Sequence, residues 1–403
     1  MKVLMTTRGS SGHIGPLVPF GQACVRAGHE VTVAAQRQFA ANIDRSGLPF
    51  EPFDDPPKEE WMPLMSEFAA LDIATANEVM VGQFFAGIDV RAELPGLRAI
   101  AERTQPDVIV RESWEFGSTL VAELLEIPLA RVGLGLVSLE EQTIEIAAAS
   151  VDDARAALGL PSDPNGERLR DAVYLTSIPE QLEDSSTTAP SRTHRFRFEV
   201  SSSTAPLPDW WPGAEDPLVY LTFGSVAAGG HLPYYPELWR AAVDALARLP
   251  VRLLVTVGDA ERGVDELGDV PDNVHVETWV PHDDVAARAD LIVCHGGFGS
   301  TLGALAHGVP LVVLPLFSSD QWANGRAVAR AGAGICIDAD GETRNVLALP
   351  PAAAIEQLAS GVEDVLADDA FRRGAEGIAE SMRALPPVDR AVEVLEAVAS
   401  RPV

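Results

Sequence analysis

The stretch that decides the fold runs from Trp279 to Leu305 and reads WVPHDDVAARADLIVCHGGFGSTLGAL. Its apolar run Asp290–Cys294 predicts a buried strand, and the glycine-dense turn His295–Gly299 follows it. Ser300 is a good N-cap, so a helix is expected to begin there and to end at Gly308, just before a proline. At such a helix start, unpaired N–H groups and the positive dipole end point outward together. The stretch therefore predicts an anion site, and we expect a diphosphate in it.

Short apolar segments alternate with helical ones in both halves of the chain. The strand candidates of the first half are Val3–Thr7, Val31–Ala34, Asp107–Val110 and Pro128–Val132. Those of the second half are Leu218–Phe223, Arg252–Val257, Val274–Glu277, Leu291–Cys294, Leu311–Leu314 and Gly334–Ile337. This alternation predicts right-handed βαβ units on parallel sheets. The expected fold is α/β, with two doubly wound, Rossmann-like domains that face each other across a ligand-binding cleft.

A stretch rich in Ser, Pro and Asp divides the two halves. Ser201–Pro217, SSSTAPLPDWWPGAEDP, has no period and is typical of a linker. We therefore expect a first domain at 1–200, a linker at 201–217, a second domain at 218–384 and a final segment at 385–403. Arg195–Val200 is a candidate last strand of the first domain. Asp389–Ala399 is amphipathic and predicts a closing helix.

Composition excludes several classes of partner. The net charge of −29 argues against nucleic acid and against an anionic membrane surface, although helix ends can still bind a small anion. The apolar stretches, of which Val309–Phe317 is typical, are about half as long as a membrane span needs. The three cysteines are widely spaced in apolar surroundings, which is typical of reduced core residues. We expect a cytoplasmic protein with no membrane span.

Several second-domain residues could contact an anionic ligand. Ser225 follows a strand in T-F-G-S and could reach phosphate, or it could belong to an ordinary turn. Trp279 could stack on a nucleobase or fill a core, and His295 could donate a hydrogen bond to phosphate. Asp320 and Gln321 follow the next strand, where a carboxylate and an amide could bind sugar hydroxyls. Together these residues favour a nucleotide-like ligand.

A dinucleotide fold is a rival interpretation of the glycine turn. Gly297, Gly299 and Gly303 open a helix after a strand, and Asp320 lies about 20 residues further on. That fingerprint normally belongs to the first βα unit of a domain. Here the glycines follow three strand candidates, so the rival is the weaker interpretation.

The first domain supplies a candidate base. His13 lies in R-G-S-S-G-H-I-G-P, between the first strand and a helix expected to start at Pro16 or Pro19. A helix amino end disfavours imidazolium, so the neutral ring would be available as a general base near pH 7. Glu112 is the best-placed carboxylate to orient it, with Glu115 as a substitute. The alternative is a turn histidine bonded to backbone.

These motifs together resemble the family 1 glycosyltransferases of the glycosyltransferase-B fold, in particular the bacterial antibiotic or macrolide type. The resemblance covers the whole chain in layout and rests on five motifs in order: G-H-I-x-P from Gly12, W-V-P from Trp279, D-x-x-x-x-H-G-G-x-G-S-T from Asp290, A-L-x-x-G-V-P from Ala304 and D-Q-x-x-N from Asp320. It implies two Rossmann-like domains and a final helix that crosses back to the first.

The resemblance also implies inverting transfer of a sugar, expected to be a deoxysugar, from a dTDP- or UDP-sugar. Its catalytic pair falls on His13 and Glu112, although the family's usual partner of the histidine is Asp. The donor residues implied are Ser225, Trp279, Val280 (through backbone), His295, Gly297, Ser300, Thr301, Asp320 and Gln321. No metal or other cofactor is expected, because the sequence has no Asp-rich metal motif and the helix end takes a metal's place at the diphosphate.

The acceptor is expected to be a bulky, apolar natural product with a reactive hydroxyl. A helix-rich segment holds residues that could line a soft pocket, or could equally form the core of a helical insertion: Met62, Met65, Phe68, Met80, Phe84 and Phe85. The sequence is compatible with a homodimer. Three alternatives remain: a sugar-nucleotide epimerase of the same fold, an NAD(P)-dependent oxidoreductase and a binding-only homologue that activates a partner.

Overall fold

In the part of the chain that the structure describes, thirteen strands form two parallel sheets. The structure is a computed structural model that describes residues 1–200, 207–224, 233–258, 267–338 and 340–400. The first sheet contains β1 (Lys2–Thr6), β2 (Glu30–Gln36), β3 (Phe50–Phe53), β4 (Val108–Glu112), β5 (Leu129–Val132), β6 (Val173–Thr176) and β7 (Thr193–Arg195). The second contains β8 (Leu218–Thr222), β9 (Arg252–Thr256), β10 (Val274–Glu277), β11 (Leu291–Cys294), β12 (Leu311–Val313) and β13 (Gly334–Cys336). The predicted pair of doubly wound sheets is confirmed.

The strand order of each sheet reverses once. The first sheet runs β3-β2-β1-β4-β5-β6-β7, and the second runs β10-β9-β8-β11-β12-β13. The reversals lie between β1 and β4 and between β8 and β11, whose neighbouring strands are parallel. Ligands of open α/β sheets bind in the crevice beyond the carboxyl ends of the strands at such a reversal. His13 and His295 each follow one of these strands.

Helices connect nearly all of the strands. In the first domain they are α1 (Ser11–Arg26), α2 (Ala40–Asp44), α3 (Lys58–Phe68), α4 (Ile73–Val79), a π-helix (Met80–Asp89), α5 (Val90–Thr104), α6 (Gly117–Leu125), α7 (Val137–Ala157) and α8 (Glu167–Arg170). The later ones are α9 (Tyr235–Leu246), α10 (His282–Ala286), α11 (Phe298–Ala306), α12 (Ser319–Arg330), α13 (Ala352–Ala367), α14 (Asp369–Ala384) and α15 (Ala391–Ala399).

Both faces of each sheet are buried. Alternate residues of β8 enter different apolar clusters, with Val219 on one face and Tyr220 on the other. In the first sheet, Val3 and Met5 lie on one face and Leu4 on the other. Strands buried on both sides need continuous apolar runs, which is why these segments lack the alternation of a half-exposed strand.

The final helix returns to the first domain, as predicted. Val388, Val392, Leu395 and Val398 are buried in the same cluster as Phe20 of α1. An ion pair of 2.8 Å between Arg26 and Asp389 lies at the edge of this contact. The core of the first sheet is therefore completed by residues that follow the second sheet in the chain.

Three predicted element boundaries are wrong. The first helix begins at Ser11, and both Pro16 and Pro19 lie inside it. The last strand of the first sheet is Thr193–Arg195, so the candidate strand 195–200 shares only Arg195 with it. Ser300 is the third residue of α11 rather than its cap, because Gly297 occupies the N-cap with extended backbone. The far end of that helix agrees with expectation, since Gly308 has a φ of +73°.

Within the described residues, no helix combines the length and the apolar character that crossing a bilayer requires. Part of the predicted linker, residues 201–206, lies outside the described residues. Its later part lies along the second sheet, where the Trp210 indole stacks on His275 with 5.2 Å between ring centroids.

Candidate active site

His13 and Glu112 form a hydrogen-bonded pair at the carboxyl edge of the first sheet. His13 is the third residue of α1, and Glu112 is the last residue of β4. The His13 Nδ1 atom lies 2.8 Å from Glu112 Oε1. The glutamate side chain is fully buried, whereas that of His13 is 17% exposed. A carboxylate on Nδ1 leaves Nε2 as the ring nitrogen that can accept a proton from a ligand.

Glu115, the alternative partner, is bound elsewhere. Its carboxylate accepts hydrogen bonds from the Thr6 hydroxyl at 2.5 Å and from the Ser118 N–H at 2.8 Å. The second bond satisfies an N–H at the start of α6. Of the two acidic residues, only Glu112 contacts His13 by hydrogen bond in this structure.

The surroundings of Glu112 keep it ionised. Burial acts to raise its pKa, but the charge of His13, the hydrogen bonds from His13 and the Trp114 N–H, and the charge of Arg8 outweigh burial. The pKa of Glu112 therefore lies below its ordinary value. An ionised partner can stabilise an imidazolium formed at His13, even though the amino end of α1 disfavours it.

An aromatic wall encloses His13. The rings of Phe85 and Trp114 meet the imidazole edge to face, at centroid distances of 6.3 and 5.8 Å. Arg8 covers the Phe85 ring, with its guanidinium carbon 3.4 Å from the centroid, and forms an ion pair with Asp89 of the π-helix. Sequence reasoning missed Trp114, Arg8 and Asp89. Trp114 could have been found from the sequence, because it lies only two residues after Glu112, the predicted partner of His13.

The amino end of α11 presents free donors beside the glycine turn. The Thr301 N–H donates to the Gly297 carbonyl at 3.0 Å, which is the first bond of the helix. The N–H groups of Phe298, Gly299 and Ser300 precede it and have no intrahelical acceptor. Thr301 thus differs from its prediction, since its N–H is occupied and the residue is only 3% exposed. The donors available to an anion lie one turn earlier.

His295 is buried between two glycines. A Cβ on either Gly224 or Gly297 would overlap its ring, so both positions require glycine for this packing. Burial lowers the pKa of His295 to about 4. The ring is therefore neutral at pH 7 and can donate one hydrogen bond to a phosphate oxygen. Among the described residues, its Nδ1 atom has no hydrogen-bond partner.

Trp279 is exposed near the same edge. It follows β10 and has 73% of its surface exposed, which leaves the indole open to contact with a ligand. The next residue, Val280, is buried. Ser225, the remaining residue predicted to contact phosphate, lies outside the described residues.

Asp320 and Gln321 lie in the first turn of α12. The Gln321 Oε1 atom accepts the N–H groups of Leu316 and Phe317, at 2.8 and 3.2 Å, which leaves its amide nitrogen available to a ligand. Burial raises the pKa of Asp320 to about 6, while a hydrogen bond with Ser318 and the charge of His13 oppose the shift. Independently of this shift, α1, which carries His13, contacts α11 at the glycine turn of the second domain.

The residues predicted to bind the acceptor do not form one group. Met62 points to solvent on α3 with 56% exposure, and Met65 on the same helix is half-buried. Phe68 packs towards the second domain, beside Trp322. Met80 and Phe84 of the π-helix pack against the cluster that contains Trp114. The structure therefore brings only the π-helix residues close to His13.

Similarity to known proteins agrees with this arrangement. Residues 240–398 match the family model described as erythromycin biosynthesis protein CIII-like, C-terminal domain. The L-demethylnoviosyl transferase of Streptomyces niveus is 30% identical over 403 residues, covering 96% of this chain and all of that protein. The demethyllactenocin mycarosyltransferase of Streptomyces fradiae is 27% identical, with 97% of this chain and 85% of that protein covered.

Solved structures show the same fold. Spinosyn rhamnosyltransferase SpnG superposes with a TM-score of 0.78 at 23% identity, covering 98% of this chain and 100% of that chain. Its structures include complexes with thymidine diphosphate and with spinosyn aglycone. The fold is that of the two-domain glycosyltransferases called glycosyltransferase-B. The chain belongs to the antibiotic glycosyltransferases of this fold, the natural-product branch that the sequence resemblance predicted.

Membership of that family decides between the alternatives drawn from the sequence. The chain is a glycosyltransferase, and the named relatives transfer sugars in antibiotic biosynthesis. The sugar-nucleotide epimerase and the nicotinamide-dependent oxidoreductase were the less favoured interpretations. The glycine turn that suggested a dinucleotide site belongs to β11 and α11, the fourth strand and its helix in the second domain.

Proposed function

We propose that the protein transfers a sugar from a thymidine or uridine diphosphate sugar to a hydroxyl group of a bulky apolar natural product. Transfer inverts the configuration at the anomeric carbon, and His13 is the general base. The observation that carries the proposal is the His13–Glu112 pair, 2.8 Å apart, on a helix that contacts α11 of the second domain.

The donor half rests on three groups at one edge of the second sheet. The exposed indole of Trp279 is suited to stack on the nucleobase, and the backbone of Val280 is suited to contact it. His295 and the N–H groups at the start of α11 would bind the diphosphate. The Asp320 carboxyl group and the amide nitrogen of Gln321 would bind the sugar. The thymidine diphosphate complex of a relative with the same fold supports a diphosphate nucleotide as ligand.

The chemical step follows from this placement. The acceptor hydroxyl gives its proton to His13 Nε2, and its oxygen attacks the anomeric carbon from the face opposite the diphosphate. The bond from that carbon to the diphosphate oxygen breaks, and the electron pair leaves with the diphosphate. Glu112 holds the ring through Nδ1 and stabilises the imidazolium. The growing negative charge is stabilised by neutral His295 and by the amino end of α11.

The proposal needs no metal ion. The described residues contain no group of three or more His, Cys, Asp or Glu arranged to hold one. The helix end and His295 are assigned the role that a cation has in other phosphate sites.

The acceptor would lie against the aromatic wall and the π-helix. Phe84, Phe85 and Trp114 offer apolar surface next to His13, and Met80 can adapt to an irregular ligand. The aglycone complex of the spinosyn relative supports an apolar small molecule as acceptor. The α3 residues Met62 and Phe68 are left out of the proposed pocket because they face elsewhere.

The test is His13→Ala, assayed in EDTA because no metal is required. We expect transfer to fall by about 10²–10⁴-fold, the usual contribution of a general base. The Kd of the nucleoside diphosphate, measured by calorimetry, should stay within twofold because His13 lies in the other domain. His194→Ala, an exposed histidine of β7, is the matched control and should retain full activity. Transfer by His13→Ala within a few-fold of the wild type would rule out His13 as the base.

A further inference from the structure

A short segment of the first domain pairs with the second domain next to the donor-sugar residues. Residues 69–73, which connect α3 to the first residue of α4, run antiparallel to residues 344–346. The Ile73 N–H donates to the Arg344 carbonyl at 3.0 Å, and the Val346 N–H donates to the Leu71 carbonyl at 3.0 Å. The Asn345 side-chain amide adds a bond of 3.1 Å to the Ala69 carbonyl. We call these two segments the cross-domain bridge.

Apolar packing extends the bridge to the sugar helix. Ile73 and Ala76 of α4 form one buried cluster with Trp322 and Val346. Trp322 is fully buried and follows Gln321 directly in α12. Its indole N–H donates to the Asp338 carbonyl at 2.9 Å. The first domain therefore covers the side of α12 that lies next to the predicted sugar residues.

The Arg344 guanidinium connects the bridge to the loop that precedes α12. Its Nη1 donates to Asp338 Oδ2 at 2.8 Å, and its Nη2 donates to the Leu316 carbonyl at 2.8 Å. The N–H of the same Leu316 donates to Gln321 Oε1. Arg344 thus holds Leu316 through the Leu316 carbonyl, and the N–H of Leu316 in turn holds the Gln321 side chain. We call residues 316–321, which comprise the end of this loop and the first turn of α12, the donor-sugar loop.

We propose that Arg344 is a positioning residue that holds the donor-sugar loop in its sugar-binding form, and that the cross-domain bridge keeps Arg344 in place. The inference rests on the proposed function of Asp320 and Gln321. Arg344 belongs to the second domain, but its backbone carbonyl is bound by the first domain. The sugar subsite is then complete only when the two domains are in contact, whereas the nucleobase and diphosphate subsites lie within the second domain.

The test compares two ligands on one variant. In Arg344→Gln, the ion pair with Asp338 is lost and the bond to Leu316 is weakened. We expect the Kd of the nucleoside diphosphate sugar to rise about tenfold, the scale of one hydrogen bond from a charged donor. The Kd of the nucleoside diphosphate alone should change by less than twofold. Arg344→Lys keeps one charged donor but cannot bind Asp338 and Leu316 at once as arginine does. The Kd of the nucleoside diphosphate sugar for this variant should therefore lie between those of the wild type and Arg344→Gln.

Two further variants control the comparison. Arg326→Gln removes a neighbouring ion pair, 2.8 Å from Glu342 on the exposed side of the same region, and should leave both Kd values unchanged. Asn345→Asp removes the donor to the Ala69 carbonyl yet keeps the acceptor for the Leu347 N–H. It should weaken binding of the sugar donor several-fold and leave the nucleoside diphosphate unaffected.

The outcomes separate this inference from the proposed function. If Arg344→Gln binds both ligands as the wild type does, or loses affinity for both by the same factor, Arg344 does not position the sugar subsite. If Arg344→Gln does not fold, Asn345→Asp decides, and equal affinities there overturn the role of the bridge. A wild-type protein that binds neither ligand would instead remove the proposed function itself.

Discussion

At Asp320, burial opposes the ionised form that its proposed role in sugar binding would use. Burial raises the pKa of this carboxyl to about 6, above the value of about 3.9 expected in the unfolded chain. Between pH 4 and pH 6 the native state therefore holds more protons than the unfolded state. The contribution of this carboxyl to the stability of the fold falls as the pH rises through this window and stays lower above it. A buried carboxyl group whose ionisation lowers the stability of the fold is consistent with a role in ligand binding.

Asp320→Asn tests this conflict. We expect Tm to rise by about 3 °C at pH 8, because the variant no longer places a charge in a buried site. The difference should shrink as the pH falls towards 4, where the wild-type carboxyl is protonated in the native state and no longer carries a buried charge. Thermal unfolding across this range measures it, and Asp364→Asn, on the exposed side of α13, should show no such trend. A pH-independent difference in Tm would contradict the raised pKa.

Residues whose roles depend on tertiary contacts could not be predicted from the sequence. His13, Trp279 and His295 lie in local motifs, so their placement at strand ends followed from the pattern alone. Arg344 lies in no motif and gains its importance from Leu316 and Asp338, which the fold brings to it. Thr301 illustrates a finer limit, because a shift of three residues in the start of α11 exchanges a free N–H for a bonded one.

At the scale of the elements, α15 completes the core of a domain that precedes it by the whole second sheet. Leu395 is 1% exposed and packs within the cluster formed by β1, β4 and α1. The amphipathic pattern of Asp389–Ala399 was enough to predict a packed helix. Its partner was predicted only through the family resemblance, since a pattern identifies an apolar face and not what covers it.

Leu395→Ala should lower the free energy of unfolding by about 2–5 kcal/mol, the usual cost of such a truncation in a core. Donor affinity should remain unchanged in the folded protein, because α15 contacts the first domain. Denaturant unfolding and calorimetry with a nucleoside diphosphate make the two measurements. Glu393→Ala, which removes an exposed pair with Arg390, is the control and should cost less than about 1 kcal/mol. A loss in the free energy of donor binding as large as the loss in the free energy of unfolding would contradict the expectation that α15 acts on the first domain alone.

Element starts were harder to predict than element types. Proline at the first helical turn is common, which favoured a start of α1 at Pro16 or Pro19. The structure begins α1 at Ser11 and accommodates both prolines inside it. This early start places His13 within the helix, three residues from the N-cap, so the helix geometry fixes the direction of its ring towards Glu112. The π-helix Met80–Asp89 was likewise outside what apolar periodicity could indicate.

On the scale of the whole molecule, the net charge of −29 opposes the approach of an anionic donor. The predicted diphosphate site relies on backbone N–H groups and a neutral histidine, and it lacks a cationic side chain among the residues assigned to it. Long-range repulsion therefore acts before the short-range contacts form. Salt at about 0.15 M reduces the Debye length to about 8 Å, which screens most of this repulsion.

Association of the nucleoside diphosphate should therefore become a few-fold faster when ionic strength rises from about 0.01 to about 0.15 M. Quenching of the exposed Trp279 in a stopped-flow instrument offers a direct signal. The uncharged nucleoside serves as the control, and its association rate should not depend on salt. Slower association of the diphosphate at higher salt would mean that a local positive field outweighs the net charge.

The return of the chain from the second domain to the first also constrains how the protein is made. Val388, Val392, Leu395 and Val398 belong to the core of the first sheet, yet a ribosome translates them after every strand of the second. During synthesis, one apolar face of the first sheet therefore stays uncovered until the residues that follow the second sheet have been made. The assembly of the first domain is thus coupled to the completion of the second.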